Sequence, residues 1–205
     1  MAIHTAPDFE FELAAYRAGA LRVVGVDEVG RGPLAGPVTA AAVWLNLNAI
    51  PAGLNDSKVL PLQRRIALSA ALFQTADVSI AHASVDEIDT MNILQASHLA
   101  MIRAIQGLSS PPDFALIDGN LIPKGMICPA EAIVKGDLRS LSVAAASIVA
   151  KVARDAIMVD LVQQHPGYGW ETNAGYPTAA HRAALLRLGI TPHHRRSFKP
   201  VYQML

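Results

Sequence analysis

Apolar positions along this chain fall into short β-branched runs and longer stretches of helical spacing, which together sketch a sheet with helices around it. Residues 21–26 (LRVVGV) form a brief run bounded by turn signals, which predicts a buried strand. Gly30, Gly32, Pro33, Gly36 and Pro37 then crowd together as no helix interior allows, so a shaped loop follows. Residues 38–45 return as a second strand, implying a hairpin-like pair. Pro61 suits the first turn of a helix continuing to about residue 73, and residues 78–83 read as a third strand. Ser84 or Asp86 can cap a short helix; residues 92–108 then place Ile93, Leu94, Leu99, Ile102 and Ile105 at helical spacing. Pro111 and Pro112 stop that helix, and residues 114–117 and 132–134 read as a fourth and a fifth strand. Residues 141–164 predict a long helix, whose Ala144, Ala145, Ala146 and Ser147 permit close approach to a sheet. A last helix covers residues 178–188, with Thr178 as cap and Gly189 as stop. The order predicts an α/β or α+β domain with a helical C-terminal part.

Composition narrows the class. With 205 residues, 52% hydrophobic and 17% charged, the chain can bury the core of one compact domain, or of a domain with a small appendage, and disorder is not expected. The single cysteine, Cys128, rules out an intrachain disulfide and reads as a small core residue in a reducing compartment. Residues 1–12 carry Asp8, Glu10 and Glu12 and lack the basic start and apolar stretch of a signal peptide. The longest apolar runs, residues 38–45 and 143–150, are too short to cross a bilayer, so a cytoplasmic protein without a membrane partner is expected. A formal net charge of zero argues weakly against a nucleic-acid partner. The average hides an asymmetry: residues 172–205 hold no acid, but include Arg182, Arg187, Arg195, Arg196 and Lys199. Such a run is ordinarily a solvated face, and only the signals beside it give it more interest.

Four acids sit at expected element ends: Asp27 and Glu28 after the first strand, Asp118 after the fourth, and Asp137 between a strand and a helix. If the first and fourth strands are neighbours, Asp27 and Asp118 converge. Carboxylates so gathered oppose each other's ionisation unless a cation is present. Oxygen-only ligands select Mg²⁺ or Mn²⁺, and the chain offers no Cys/His spacing for zinc. Two such ions could activate a water and stabilise the leaving oxygen of a phosphodiester. The plainer reading makes each acid a cap or turn residue; adjacent Asp27 and Glu28 fit that least well. Neighbouring side chains on a strand face opposite ways, so both acids reach one site only if the backbone bends or one offers its carbonyl.

At these residues the chain resembles ribonuclease HII, the bacterial type 2 ribonucleases H. The stretch 27–38 (DEVGRGPLAGPV) is similar to the family's signature, and 55–58 (NDSK) to its DSK loop. Asp118-Gly119-Asn120 and Lys135-Gly136-Asp137 resemble its third and fourth carboxylate motifs. Residues 144–152 with Arg154-Asp155 match its long-helix motif; 175–178 (GYPT) with His181, and 194–198 (HRRSF), match its C-terminal blocks. The likeness covers most of the chain, with these motifs in order. It implies a ribonuclease H-like fold: a mixed central sheet flanked by helices, with a core over about residues 20–165 and a helical extension over about 166–205 that contacts substrate. It implies a metal-binding active site of Asp27, Glu28, Asp118 and Asp137, holding two Mg²⁺ or Mn²⁺ ions.

Gly30, Arg31 and Gly32 would hold the ribose 2′-hydroxyl and nearby phosphates; glycines permit close backbone approach, and the 2′-hydroxyl is what separates RNA from DNA. Tyr176 would pack on the deoxyribose after a ribonucleotide; Lys58, Lys151 and Ser147 would contact phosphate, although Lys151 could project into water and Ser147 could simply permit helix packing. His181 and His194 are left as structural or phosphate-side candidates, with His193 facing solvent. Ala174 departs from the basic residue that many members place before the Gly-Tyr pair, which bears on substrate affinity.

The implied activity is cleavage of the RNA strand of RNA–DNA hybrids and of duplex DNA 5′ to an embedded ribonucleotide, leaving 3′-hydroxyl and 5′-phosphate ends. A monomer with salt-sensitive substrate binding is expected. Three rivals remain. Ribonuclease HIII would need an extra N-terminal domain, for which some twenty residues leave no room, and the GRG triplet favours type 2. A phosphate-binding module built on GRGPLAG lacks the end of a P-loop and leaves the acids unexplained. A catalytically inactive nucleic-acid-binding protein would not need all four acids.

Overall fold

The computed structural model describes residues 6–205; residues 1–5, the start of the stretch read as lacking a targeting signal, lie outside the described residues. The elements in order are α1 (Glu10–Arg17), β1 (Val23–Val29), β2 (Val38–Leu45), α2 (Leu62–Thr75), β3 (Ala76–Ala83), α3 (Val85–Met91), α4 (Ile93–Gln106), β4 (Phe114–Asp118), β5 (Ala130–Ile133), α5 (Leu141–Gln164), α6 (Trp170–Asn173), α7 (Ala179–Leu188) and α8 (Lys199–Tyr202). One five-stranded sheet runs β3-β2-β1-β4-β5. The first three strands pair antiparallel, while β1, β4 and β5 are parallel, so the sheet is mixed as expected.

Helices cover both faces, which is why β2 reads as an apolar run interrupted only by Thr39. Val38, Ala40 and Ala42 pack with Ala96, Ala100 and Met101 of α4, whereas Ala41, Val43 and Leu45 pack with Leu68 and Leu72 of α2 and Ala145 and Ile148 of α5. Successive side chains point to opposite faces, and each face meets its own helix layer. The expected small-residue contact of α5 is extreme at Gly25: a Cβ there would stand 2.1 Å from the Ser142 carbonyl carbon. The far end of α5 carries Met158 and Leu161 into a separate cluster with Leu34, Tyr168, Trp170, Leu185 and Val201, which joins the C-terminal helices to the body. Among the described residues, no helix is long and apolar enough to cross a membrane.

Several boundaries differ from the sequence reading for identifiable reasons. The short helix expected to be capped by Ser84 or Asp86 is α3, closed by the reciprocal Ser84–Glu87 bonds; the helix expected over 92–108 is α4, which Asn92 (φ 74°) caps through the amides of Leu94 and Gln95 and which ends at Gln106. Pro61 stands at the N-cap of α2 rather than within its first turn. β5 spans Ala130–Ile133, so it both begins and ends before the expected 132–134. Helix α1 was not anticipated. Its Glu12 is buried and accepts from the Ser140 hydroxyl at 2.5 Å and the Ser142 amide at 2.9 Å, tying the N-terminal segment to the start of α5.

Candidate active site

β1 does not stop before its acids. It runs to Val29, with Asp27 paired to Ala41 and Glu28 to Ala40 in the ladder, so both acids lie within the strand, not after it. β4 likewise includes Asp118 as its last residue. Because β1 and β4 are parallel neighbours, with Val26 opposite Ile117, Asp27 and Asp118 follow at the same end of the sheet. One oxygen each from Asp27, Glu28 and Asp118 lies within 4.8 Å of the others. No break in the strand is required: Asp27 folds back to accept the Glu28 amide at 2.7 Å, and the longer Glu28 side chain spans the rest.

The cluster is electrostatically costly as it stands. Burial, then Glu28 and then Asp118, push the Asp27 carboxyl well above the usual carboxylate range, and the neighbouring Ser147 hydroxyl works against that rise. Burial lifts Glu28 to about 7; Arg31, whose Nη1 stands 3.2 Å from Glu28 Oε1, opposes the rise and Asp118 adds to it. Asp118 is raised by burial and then by Asp137. Glu28 Oε2 is buried and has no hydrogen-bond partner. A carboxylate-only set with an orphaned buried oxygen fits a hard divalent cation and little else.

Asp137 stands apart from that trio, in the single 3₁₀ turn Gly136–Leu138 before α5. It is linked to the trio through its neighbour, because Asp118 Oδ1 accepts the Gly136 amide at 2.6 Å. Lys58 Nζ lies 3.3 Å from Asp137 Oδ2 and 4.0 Å from Asp56 Oδ1. Burial pulls the Lys58 ammonium down, but the pull of Asp137 and then Asp56 outweighs it and leaves the group above its ordinary value.

The remaining expected residues are placed as follows. Arg31 and Gly32 are exposed at the tip of the loop after β1, and Tyr176 is 42% exposed beside them; a Cβ on Gly32 would lie 3.3 Å from Tyr176 Cε1. Lys151 bonds Asp155 one helical turn away at 2.6 Å, on the α5 face toward α2. Ser147 is only 4% exposed and meets the Ser57 hydroxyl at 2.9 Å, so it stands behind Asp27 rather than where solvent-borne phosphate arrives. Ala174 takes a left-handed conformation (φ 47°), and its carbonyl accepts from Arg154 Nη1 at 3.0 Å.

Histidines 181 and 194 are buried structural groups, bonded Nε2 to Nε2 at 3.2 Å, while His181 Nδ1 meets the Tyr176 carbonyl at 2.9 Å. His193 is half-buried against His165, not solvent-facing. The basic C-terminal run is not one solvated face either, because Arg195 is fully buried. Arg154 and Arg195 lie in the family-like stretches around the long helix and in 194–198, but the sequence reading gave them no role of their own, and their charge gave no sign of burial.

Comparison with known proteins identifies the family. The family model described as Ribonuclease HII matches residues 24–201. A ribonuclease HII of Cereibacter sphaeroides is 69% identical over 199 residues, covering 97% of this chain and 94% of that protein. The chain belongs to the ribonuclease HII family. It is therefore a ribonuclease H, a hydrolase acting on RNA–DNA hybrids. Among solved structures, the ribonuclease H2 of Pyrococcus horikoshii has a TM-score of 0.75 at 27% identity, covering 90% of this chain and 97% of that one. The fold is also that of Bst-RNase HIII in complex with Mn²⁺, with a TM-score of 0.76 at 22% identity over 94% of this chain and 71% of that one. Family membership sets aside the phosphate-binding module and the type 3 enzyme as readings of this chain.

Proposed function

We propose that this ribonuclease HII cuts the RNA strand of hybrids and also cuts duplex DNA 5′ to single embedded ribonucleotides, leaving 3′-hydroxyl and 5′-phosphate ends. The observation that carries this reading is the convergence of Asp27, Glu28 and Asp118 within 4.8 Å, next to an exposed glycine loop. Asp27, Glu28, Asp118 and Asp137 would hold two divalent cations, Mg²⁺ or Mn²⁺, which supply charge stabilisation at the scissile phosphate and a nucleophilic water. Bst-RNase HIII, which shares the fold, was solved with Mn²⁺.

The chain's own residues then divide the work. Ser147, held by Ser57, backs Asp27. Lys58 balances Asp137 and is exposed enough, at 76% of its side chain, to share itself with a substrate phosphate. Lys151 has a weaker claim on phosphate, since Asp155 already neutralises it. Arg31 and Gly32, held out by the buried Gly30 turn, meet the ribose, and the exposed Tyr176 ring beside Gly32 offers a flat apolar face for the next sugar. The groups this reading uses lie on one chain, so it needs no partner subunit, and we propose a cytoplasmic monomer.

The direct test is cleavage of a DNA duplex carrying one ribonucleotide, with Mg²⁺, with Mn²⁺ and with EDTA. A single cut 5′ to the ribonucleotide with either metal, abolished by EDTA, is the expected result. Absence of that cut under both metals, with hybrid cleavage retained, would restrict the enzyme to hybrids; absence of both activities would favour an inactive nucleic-acid binder. Tyr176→Ala is expected to lose about tenfold in kcat/KM at the embedded ribonucleotide, roughly the worth of one sugar-stacking contact. Cutting within long hybrids should change less, and equal losses on both substrates would remove the junction role of Tyr176.

A further inference from the structure

The loop that follows β1 is held from beneath by a buried cation. Arg195 is fully buried, and its guanidinium donates from Nη2 to the Gly30 carbonyl at 2.6 Å, from Nη1 to that of Arg31 at 3.1 Å, and from Nε to that of Gly36 at 2.9 Å. Nη2 also meets the Pro37 carbonyl at 3.1 Å, which Arg154 Nε approaches from the other side at 3.0 Å. Among the described residues no carboxylate forms an ion pair with Arg195, so peptide carbonyls are the direct partners of its charge. A charge kept out of water without a contacting counter-ion is expensive, and a packing role alone would be met by an apolar side chain of similar volume.

The peptide geometry shows what this arrangement does. All peptide bonds described are trans. In a trans peptide the carbonyl and the following N–H point in opposite directions. Drawing the Gly30 and Arg31 carbonyls inward therefore turns the Arg31 and Gly32 amides outward, on the two exposed residues of the loop. Neither amide has an acceptor within the described chain. A cation on the carbonyl side also polarises each peptide and strengthens its N–H as a donor.

We infer that Arg195 is a specificity-positioning residue, which aims the Arg31 and Gly32 amides at the 2′-oxygen of the substrate ribose. The inference rests on the proposed reading of this loop as the ribose contact. Gly30 is required by the same device, since its φ is +94° and a Cβ there would lie 2.1 Å from Arg154 Nε.

Arg195→Lys keeps the charge but cannot reach the four carbonyls together. For this variant KM on a one-ribonucleotide duplex should rise about tenfold with kcat changed less than about threefold, the worth of one to two hydrogen bonds. Binding with metal chelated, compared between that duplex and its all-deoxy counterpart, should lose about tenfold of the wild-type preference for ribose. Equal weakening on both duplexes would make the contact one to phosphate and overturn the inference, as would unchanged KM and preference. Arg195→Gln, neutral and still a donor, is the second variant. If both variants fail to fold by circular dichroism, Arg195 is a stability residue and the inference falls. A wild-type enzyme that shows no preference for ribose in that binding comparison would instead remove the reading of this loop as the ribose contact, on which the inference rests.

Discussion

Asp27→Asn is expected to abolish cleavage, by about a thousandfold or more, and to melt at a higher temperature than the wild type when metal is chelated. The two effects have one cause. Asp27 is buried, with Glu28 and Asp118 oxygens within 4.8 Å, so without a cation its negative charge meets burial and two like charges. The amide keeps the shape and still accepts the Glu28 N–H with its remaining oxygen, the bond that is 2.7 Å long in the wild type. Relief of the repulsion should stabilise the metal-free protein by about 1–2 kcal/mol, or roughly 2–8 °C for a chain of this size. Loss of one ligand and of the charge that faces the scissile phosphate removes the chemistry, where single electrostatic groups contribute about a hundred- to a thousandfold.

The stability difference depends on pH in a definite direction. A carboxyl whose folded pKa is raised above its unfolded value holds its proton more tightly when folded, so the wild type loses stability as pH rises past the unfolded value. The asparagine of the variant has no such proton, so the melting-temperature gap should widen as pH rises above the ordinary carboxylate value of about 4. Manganese should then raise the wild-type melting temperature and leave the variant much less changed. Melting curves in EDTA and in Mn²⁺, beside a hybrid cleavage assay, decide it; a variant that still cuts at the wild-type rate moves the active site elsewhere.

What could be read from the residues alone follows from what side-chain patterns encode. β2 was visible because both of its faces are buried, and α5 because of its length and its small-residue segment; its observed span, Leu141–Gln164, is the expected one. The meeting of Asp27 with Asp118 was legible as a condition, that strands one and four be neighbours, and the parallel β1–β4 pair meets it. The end of β1 was misjudged because Asp and Glu are poor strand residues by propensity, and the ladder to β2 overrides propensity here. Glu12 and Arg195 were illegible for a different reason. Each is a charged residue buried by partners more than a hundred positions away, Ser140 and Ser142 for one and the Gly30–Pro37 carbonyls for the other. Charge patterning along a chain reports the surface it would form if solvated, and it carries no sign of such long-range bonds.

Gly25→Ala should be the most destabilising single-methyl change in the protein, and it tests how the fold sets the site. The added Cβ would stand 2.1 Å from the Ser142 carbonyl carbon and 2.3 Å from the Val143 nitrogen, which are backbone atoms of α5 and cannot swing aside. Either β1 or the whole first turn of α5 must move, and the apolar packing on both sides of β1 resists that, so a loss of about 4 kcal/mol or more is expected. Gly19→Ala is the control. Its φ of +106° strains an alanine, but nothing lies within 4 Å of the new Cβ, and the cost should stay near about 1–2 kcal/mol. Denaturant midpoints of the two variants measure the difference directly, and equal midpoints would remove the close approach as a determinant. Any Gly25→Ala protein that does fold should also cut poorly while Gly19→Ala cuts normally. The displaced α5 carries Ser147 away from Asp27 and pulls on the Gly136–Leu138 turn that holds Asp137, so the strain at the helix–strand contact reaches the carboxylates through the two elements that position them.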